Sequence, residues 1–210
     1  MSRKGILTVV SGFSGAGKGT LMKALLKKYD YELSISATTR APREGEVHGR
    51  EYFFLTRDDF ESMIESRKLI EWAEYVGNYY GTPKEYVEQQ LEAGKDVILE
   101  IEIQGALKVK EIFPEALLLF ITPPNITELK SRLVGRGTET METIKKRLDR
   151  ASEEASYMEY YDYIIVNDDL NECVETTHQV IVNEHNKVSQ NKNFIEAITA
   201  ELKAMKEGEI

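Results

Sequence analysis

The chain has 210 residues, 41% hydrophobic and 30% charged, with a formal net charge of −9. That length buries a substantial core in one domain, or in one with subdomains, and the acidic balance argues against a nucleic-acid polymer or a membrane surface as partner unless basic residues cluster locally. The lone cysteine, Cys173, makes no internal disulfide, and no run approaches the roughly 18 apolar residues of a membrane span, so a cytoplasmic protein is expected.

The first element, "GILTVV" (5–10), is an apolar run rich in β-branched residues and reads as a buried strand. The glycine-rich "SGFSGAGKGT" follows, and then Leu21, Met22, Leu25 and Leu26 recur at helical spacing. Strand, glycine loop and helix in that order open an α/β unit. Residues 34–82 carry aromatic, alternating segments ("REYFFLT", "LIEWAEYVGNYYG") around a short helix at 57–66, which the capping pattern Thr56-Arg57-Asp58-Asp59 opens. They read as a small, partly antiparallel insertion. "KDVILEIEI" (95–103) and "EALLLFIT" (115–122) are two further strands. A helical segment at 125–150 is interrupted at "GRGT" (135–138), where two glycines predict a hinge or loop, and a charged helix runs from about 139 to 158. "YDYIIVND" (161–168) is a fourth strand, and Val174, Thr177, Val180 and Ile181 mark a helix from about 170. The tail from 183 to 210 reads as polar and helical toward its end. Near-continuous hydrophobic strands fit a parallel sheet flanked by helices on both faces, so the fold class is α/β with a small mixed insertion.

The loop Gly12-Phe13-Ser14-Gly15-Ala16-Gly17-Lys18-Gly19-Thr20 nearly spells the phosphate-binding pattern G-x-x-x-x-G-K-[ST]. Its backbone N–H groups turn inward as an anion nest, the next helix adds its positive N-terminus, and Lys18 adds a mobile charge. Gly19 departs from the pattern, because it lacks the hydroxyl that usually touches Mg²⁺. Thr20 brings that hydroxyl one place late, as a metal or phosphate contact.

Three other groups stand out. Arg40 and Arg43 lie three apart around Pro42, with Ser34, Ser36, Thr38, Thr39 and Tyr52 nearby, a set that suits a phosphate monoester dianion. Arg132, Arg136, Arg147 and Arg150 belong to a stretch, 130–150, holding seven Lys/Arg against three Asp/Glu. Arg136 sits in the glycine-flanked turn, where a moving arginine reaches transferring phosphates. Glu100 and Glu102 are expected on one side of the 95–103 strand, near magnesium-bound waters, and Glu71 lies among apolar residues, where a bare charge needs a partner.

Six ordered blocks, "SGxSGAGKGT", "TTRxPRxGExxGxxYxF", "IEWAEYxGNYYGT", "LEIxxQGA", "RLxxRGTET" and "YDYIIVNDDL", make the chain similar to the guanylate kinase family over nearly its whole length. The resemblance implies a P-loop parallel sheet as core (about 1–33, 84–124 and 151–210), a GMP-binding subdomain (about 34–83) and a helical lid (about 125–150). It implies phosphoryl transfer from ATP to GMP with Mg²⁺ accompanying ATP, and leaves deoxy-GMP as a second acceptor and the oligomeric state open. By position, Ser36, Glu71 and Thr82 would hold guanine, whose paired N1–H and N2–H₂ donors match a carboxylate. Arg40, Arg43, Tyr52 and Tyr80 would hold the GMP phosphate. The loop from Gly12 to Thr20 would hold ATP phosphates, Asn167 would touch adenine, and Arg136 and Arg147 would close over both. The family usually has Asp where this chain has Glu102, which would serve GMP or the magnesium–water network. Thr82 is also the expected N-cap of Thr82-Pro83-Lys84-Glu85. Two other readings compete: a kinase for dTMP or AMP, which offer Glu71 no paired donors, and a non-catalytic peptide-binding module, against which the intact "GAGKGT" speaks.

Overall fold

The structure is a computed structural model and describes residues 3–75, 77–135 and 140–207. In chain order its elements begin with β1 (Leu7–Gly12), α1 (Lys18–Lys28), β2 (Glu32–Leu33), β3 (Ala37–Thr38), β4 (Phe53–Phe54), α2 (Arg57–Glu65), β5 (Leu69–Tyr75) and β6 (Asn78–Pro83). They continue with α3 (Lys84–Glu92), β7 (Val97–Glu100), α4 (Ile103–Ile112), β8 (Leu117–Thr122), α5 (Ile126–Gly135), α6 (Met141–Ala155), β9 (Tyr163–Val166), α7 (Leu170–Glu184) and α8 (Lys192–Glu207), with short 3₁₀ turns at Met158–Tyr160 and Val188–Asn191.

Five strands form a wholly parallel sheet in the order β2-β7-β1-β8-β9. All six residues of β1 are buried, as are five of the six in β8, because helices cover both faces of the sheet centre. Val9, Val10, Leu118, Phe120 and Ile121 are fully shielded, each worth about 1.5–3 kcal/mol relative to exposure. β1 starts two residues later than its apolar run, since the N–H of Ile6 donates to Asp96 Oδ1 at 2.8 Å.

The strand expected at 95–103 ends early, at Glu100. Ile103, Ala106 and Val109 are buried three apart on α4, so the last apolar residue of the run belongs to a helical stripe. Glu102 therefore sits at the N-cap position of α4, and does not share a strand face with Glu100.

A second sheet, β4-β3-β6-β5, is mixed: β3 and β4 are parallel, and β6 runs antiparallel to both β3 and β5. Phe60 of α2 is fully buried against it with Ala37 and Leu69. α2 opens as its sequence predicts, with Thr56 Oγ1 accepting from the Asp59 N–H at 3.1 Å. α4 packs against β5 and joins this sheet to the carboxyl end of β7. α5 and α6 pack together, and Leu129 and Leu133 of α5 press on the glycine loop: a Cβ built on Gly15 would lie 2.8 Å from Leu133 Cδ2. The interruption predicted at 135–138 falls largely outside the described residues, as does Arg136.

Candidate active site

The glycine loop leaves the carboxyl end of β1 and runs into α1 beneath a cleft of about 600 Å³. Gly17, at the N-cap of α1, has φ 92°, and a Cβ there would lie 2.5 Å from Asn167 Nδ2. Only glycine meets both demands. Asn167 is buried, and its side-chain N–H donates to Ala16 O at 2.8 Å. It braces the loop from below. Phe13 is also turned inward, edge-on to Phe120 at 5.0 Å, so it offers the cleft its backbone. Lys18 Nζ donates to Gly12 O at 2.6 Å and to Phe13 O at 3.2 Å, curling the ammonium over the loop. Arg147 reaches across from α6, its Nη1 donating to Ser14 Oγ at 3.1 Å. Arg132 pairs with Glu128 one turn back on α5, at 2.7 Å, and its Nη1 also donates to Ala16 O of the loop at 3.5 Å. Ser14, Gly15, Gly19 and Thr20 complete the wall, with Lys23, which sequence reasoning missed although it lies one turn from Gly19 and Thr20 on α1.

A Cβ on Gly19 would meet nothing within 4 Å. The fold therefore does not need glycine there, and Gly19→Ala is expected to raise stability by about 0.5 kcal/mol through helix propensity. Thermal unfolding checks this: a lower midpoint would show that the fold, and not a ligand, requires Gly19.

A second cleft of about 960 Å³ is lined by Ser36, Tyr52, Glu71, Tyr80, Glu102 and Lys108, among others. Between Leu69 and Trp72 the pairing of β5 with β6 slips by one residue, so that Ile70 and Glu71 together oppose Thr82. At this β-bulge Ile70 goes into the main core and Glu71 into the cleft. Thr82 is buried beneath, and its hydroxyl donates to Glu71 Oε1 at 2.7 Å. The expected N-cap role of Thr82 is thus overturned. Pro83 takes the cap position of α3 without a side-chain bond, because the Thr82 hydroxyl is committed to Glu71. Burial pushes the Glu71 carboxyl above its ordinary range, offset in part by the Thr82 hydroxyl and the Lys108 charge. Gly105 makes room for it, since a Cβ there would stand 3.3 Å from Glu71 Oε2.

Arg40 approaches the same cleft from the loop after β3. Its guanidinium lies over the Tyr52 ring at 5.5 Å, and Nη2 donates to both Glu46 oxygens at 2.9 Å. Glu46 also accepts from the Arg43 N–H at 2.7 Å, so one carboxylate orders both arginine positions while the Arg43 side chain stays exposed. Those bonds and charges hold the Glu46 carboxyl below its ordinary range.

The two clefts share one wall, formed by Glu100, Glu102, Arg150 and Glu154. Arg150 Nη2 donates to Glu102 Oε2 at 2.8 Å, and its Nε donates to Glu154 Oε1 at 2.9 Å, tying α6 to the end of β7. Burial raises the Glu100 carboxyl; Lys18 opposes this and Glu102 adds to it. Burial likewise raises Glu154, against the Arg150 ion pair. Sequence reasoning did not find Glu154. Its signal was an acid three residues beyond Ala151, on the same buried face of an otherwise charged helix as Ile144.

A glycine loop at the carboxyl edge of a parallel sheet, facing a second polar cleft across a shared wall, defines a P-loop protein built to bring two ligands together. The chain belongs to the guanylate kinase family, whose sequence model, described as "Guanylate kinase", matches residues 4–184. It is 55% identical over 186 residues to the guanylate kinase of Halalkalibacterium halodurans, covering 88% of this chain and 91% of that protein. It is 53% identical over 189 residues to that of Bacillus subtilis, covering 89% and 93%. The crystal structure of guanylate kinase from Anaplasma phagocytophilum superposes with a TM-score of 0.69 at 33% identity, covering 90% of each chain.

Proposed function

We propose that this chain transfers the γ-phosphoryl group of ATP directly to GMP, giving ADP and GDP. The observation that carries the reading is the wall of Glu100, Glu102, Arg150 and Glu154 common to both clefts, which brings a donor over the loop next to an acceptor on Glu71. The acceptor is itself a phosphate dianion, so no strong general base is needed. What is needed is alignment of two anions and neutralisation of the developing charge.

In this reading the loop amides and Lys18 take the donor phosphates, and the Asn167 amide oxygen faces adenine. Glu71, with Ser36 and Thr82, reads guanine: its carboxylate accepts from N1–H and N2–H₂, and a hydroxyl serves O6. Arg40, Arg43, Tyr52 and Tyr80 hold the acceptor phosphate, and Arg147 and Arg136 bear on the transferring group. The division into a core, a GMP-binding unit (34–83) and a lid (125–150) belongs to the same reading, with closure preceding chemistry. The oxygen donors Thr20, Glu100 and Glu102 suit Mg²⁺ that arrives with ATP, and among the described residues no cluster of three or more His, Cys, Asp or Glu is arranged to hold a metal by itself. Mg²⁺ supplies charge neutralisation between phosphates when bound. Among the described residues no helix is long and apolar enough to cross a membrane, and a cytoplasmic site of action completes the proposal.

An assay of ADP release from ATP across GMP, AMP, dTMP and CMP tests this. GMP is expected to be preferred by about 10⁴-fold in kcat/KM, as for sites that hydrogen-bond a substrate's polar edge; comparable rates with AMP or dTMP would sink the assignment of Glu71. Arg43→Ala is expected to lower kcat/KM for GMP by about 10²-fold, the loss of a charge-assisted phosphate contact. A value within a few-fold of wild type would remove Arg43 from the site.

A further inference from the structure

The last helix, α8, lies beyond residue 184, where the match to the family model ends, so the phosphotransfer reading gives it no task. The tail was expected to be polar and helical toward its end; α8 is a helix there, and it carries an apolar stripe. Ile195 and Ile198 are 42% exposed, and Phe194, Leu202 and Met205 are 62% exposed. Nearly the whole helix stands in solvent, packed mainly on the 3₁₀ turn that leads into it. An isolated helix of 16 residues is marginal in water, so a stripe of this kind calls for a partner.

The spacing names the geometry. Ile195, Ile198, Leu202 and Met205 follow one another at three, four and three residues, the a and d positions of two heptads. Glu201 then falls at g and Lys206 at the following e. In two parallel helices of the same sequence, the g residue of one faces the following e residue of the other, so both copies pair Glu201 with Lys206. An antiparallel pair would set Glu201 toward Phe194 and Lys206 toward Thr199, with no opposite charge to meet. A lipid surface is disfavoured, because Lys192, Lys203 and Lys206 are cancelled by Glu196, Glu201 and Glu207, whereas helices that lie on anionic membranes carry a basic polar face.

We propose that α8 docks on α8 of a second copy of this chain, the two helices running parallel with Ile195, Ile198, Leu202 and Met205 in the seam. Two heptads give a reversible contact, and none of the residues of α8 lines either cleft. The dimer therefore forms without altering the site.

Sedimentation velocity on the full chain tests this. The wild type is expected to be dimeric at about 100 μM and to dissociate on dilution toward about 1 μM, the range of a weak two-heptad contact. Leu202→Asp is expected to be monomeric throughout, with unchanged turnover and thermal midpoint. Glu201→Lys should weaken the dimer about tenfold, and Glu201→Lys with Lys206→Glu should restore it. Oxidised Leu202→Cys should cross-link in register, with the wild type as control because Cys173 is buried. A wild type monomeric at 100 μM, a dimer that survives Leu202→Asp, or L202C that fails to cross-link would overturn the proposal. So would pelleting with phosphatidylglycerol–phosphatidylethanolamine vesicles that Leu202→Asp abolishes, which would assign the stripe to lipid.

Discussion

Replacing Glu71 by Gln is expected to lower kcat/KM for GMP by about 10³-fold, some 4 kcal/mol, while leaving KM for ATP unchanged. The amide keeps the shape of the carboxyl but sets an NH₂ against a guanine donor, and it discards the charge that made the pair strong. The same substitution should stabilise the empty protein at neutral pH. Burial raises the folded-state pKa of Glu71 above its unfolded value. The folded state therefore binds the extra proton in the window between the two values, and stability falls as pH rises through it. Above that window the buried carboxylate is a cost that Gln removes. A gain of about 2 °C in melting temperature, corresponding to ~1 kcal/mol for a chain of this size, should shrink as pH drops below the unfolded value. Binding runs the other way: KM for GMP in the wild type should climb on acidification sooner than an ordinary carboxylate would predict, and E71Q should lose that limb. Melting curves and GMP titrations of the two proteins at several pH values check both signs. A lower midpoint for E71Q at pH 7 would mean that the carboxylate is held by more than Thr82 and Lys108.

The pairing beneath that prediction was only partly legible. Glu71 among apolar neighbours signalled a charge in want of a partner, and the family resemblance named Thr82 beside it. The bulge that faces Ile70 and Glu71 against one residue of β6 depends on register with a strand several residues away, which alternation along β5 does not encode. The glycine loop, by contrast, was readable residue by residue, because nest, lysine and helix N-terminus are all set by neighbours in sequence. Even there, Asn167 was read as facing adenine, and only the tertiary contact with Ala16 O reveals how its side-chain N–H is spent. The strand at 95–103 was overextended because Ile103 fits both an alternating and a helical pattern until α4 is seen to claim it. Glu154 escaped for a different reason. Its spacing from Ile144 and Ala151 marks the buried face of α6 only faintly on so charged a helix, and its place between the clefts arises from α6 crossing the end of β7. The heptad on α8 was written plainly in the sequence, but was masked by the high polar content around it.

Lys18→Ala is expected to lower kcat by about 10³-fold or more, the scale on which preorganised charge acts at a transferring phosphoryl group. The ammonium donates to Gly12 O and Phe13 O, the carbonyls of the loop's first turn. These are neutral acceptors, and under the proposed function the ammonium would exchange them for phosphate oxygens at small cost when a donor arrives. It also stands near Glu100, so its loss removes a cation that moderates that carboxyl and leaves it still higher. Arginine should not rescue the defect, because a planar fork does not fit the space a point ammonium fills between two carbonyls 2.6 and 3.2 Å away. The fold should survive, with a loss of about 1 kcal/mol for the two bonds, and GMP binding in the second cleft should be unaffected. Pre-steady-state turnover and GMP titration of Lys18→Ala and Lys18→Arg distinguish this from general disruption. If GMP affinity fell in step with kcat, the two clefts would be coupled through Lys18 itself, and the division of labour between them would have to be redrawn.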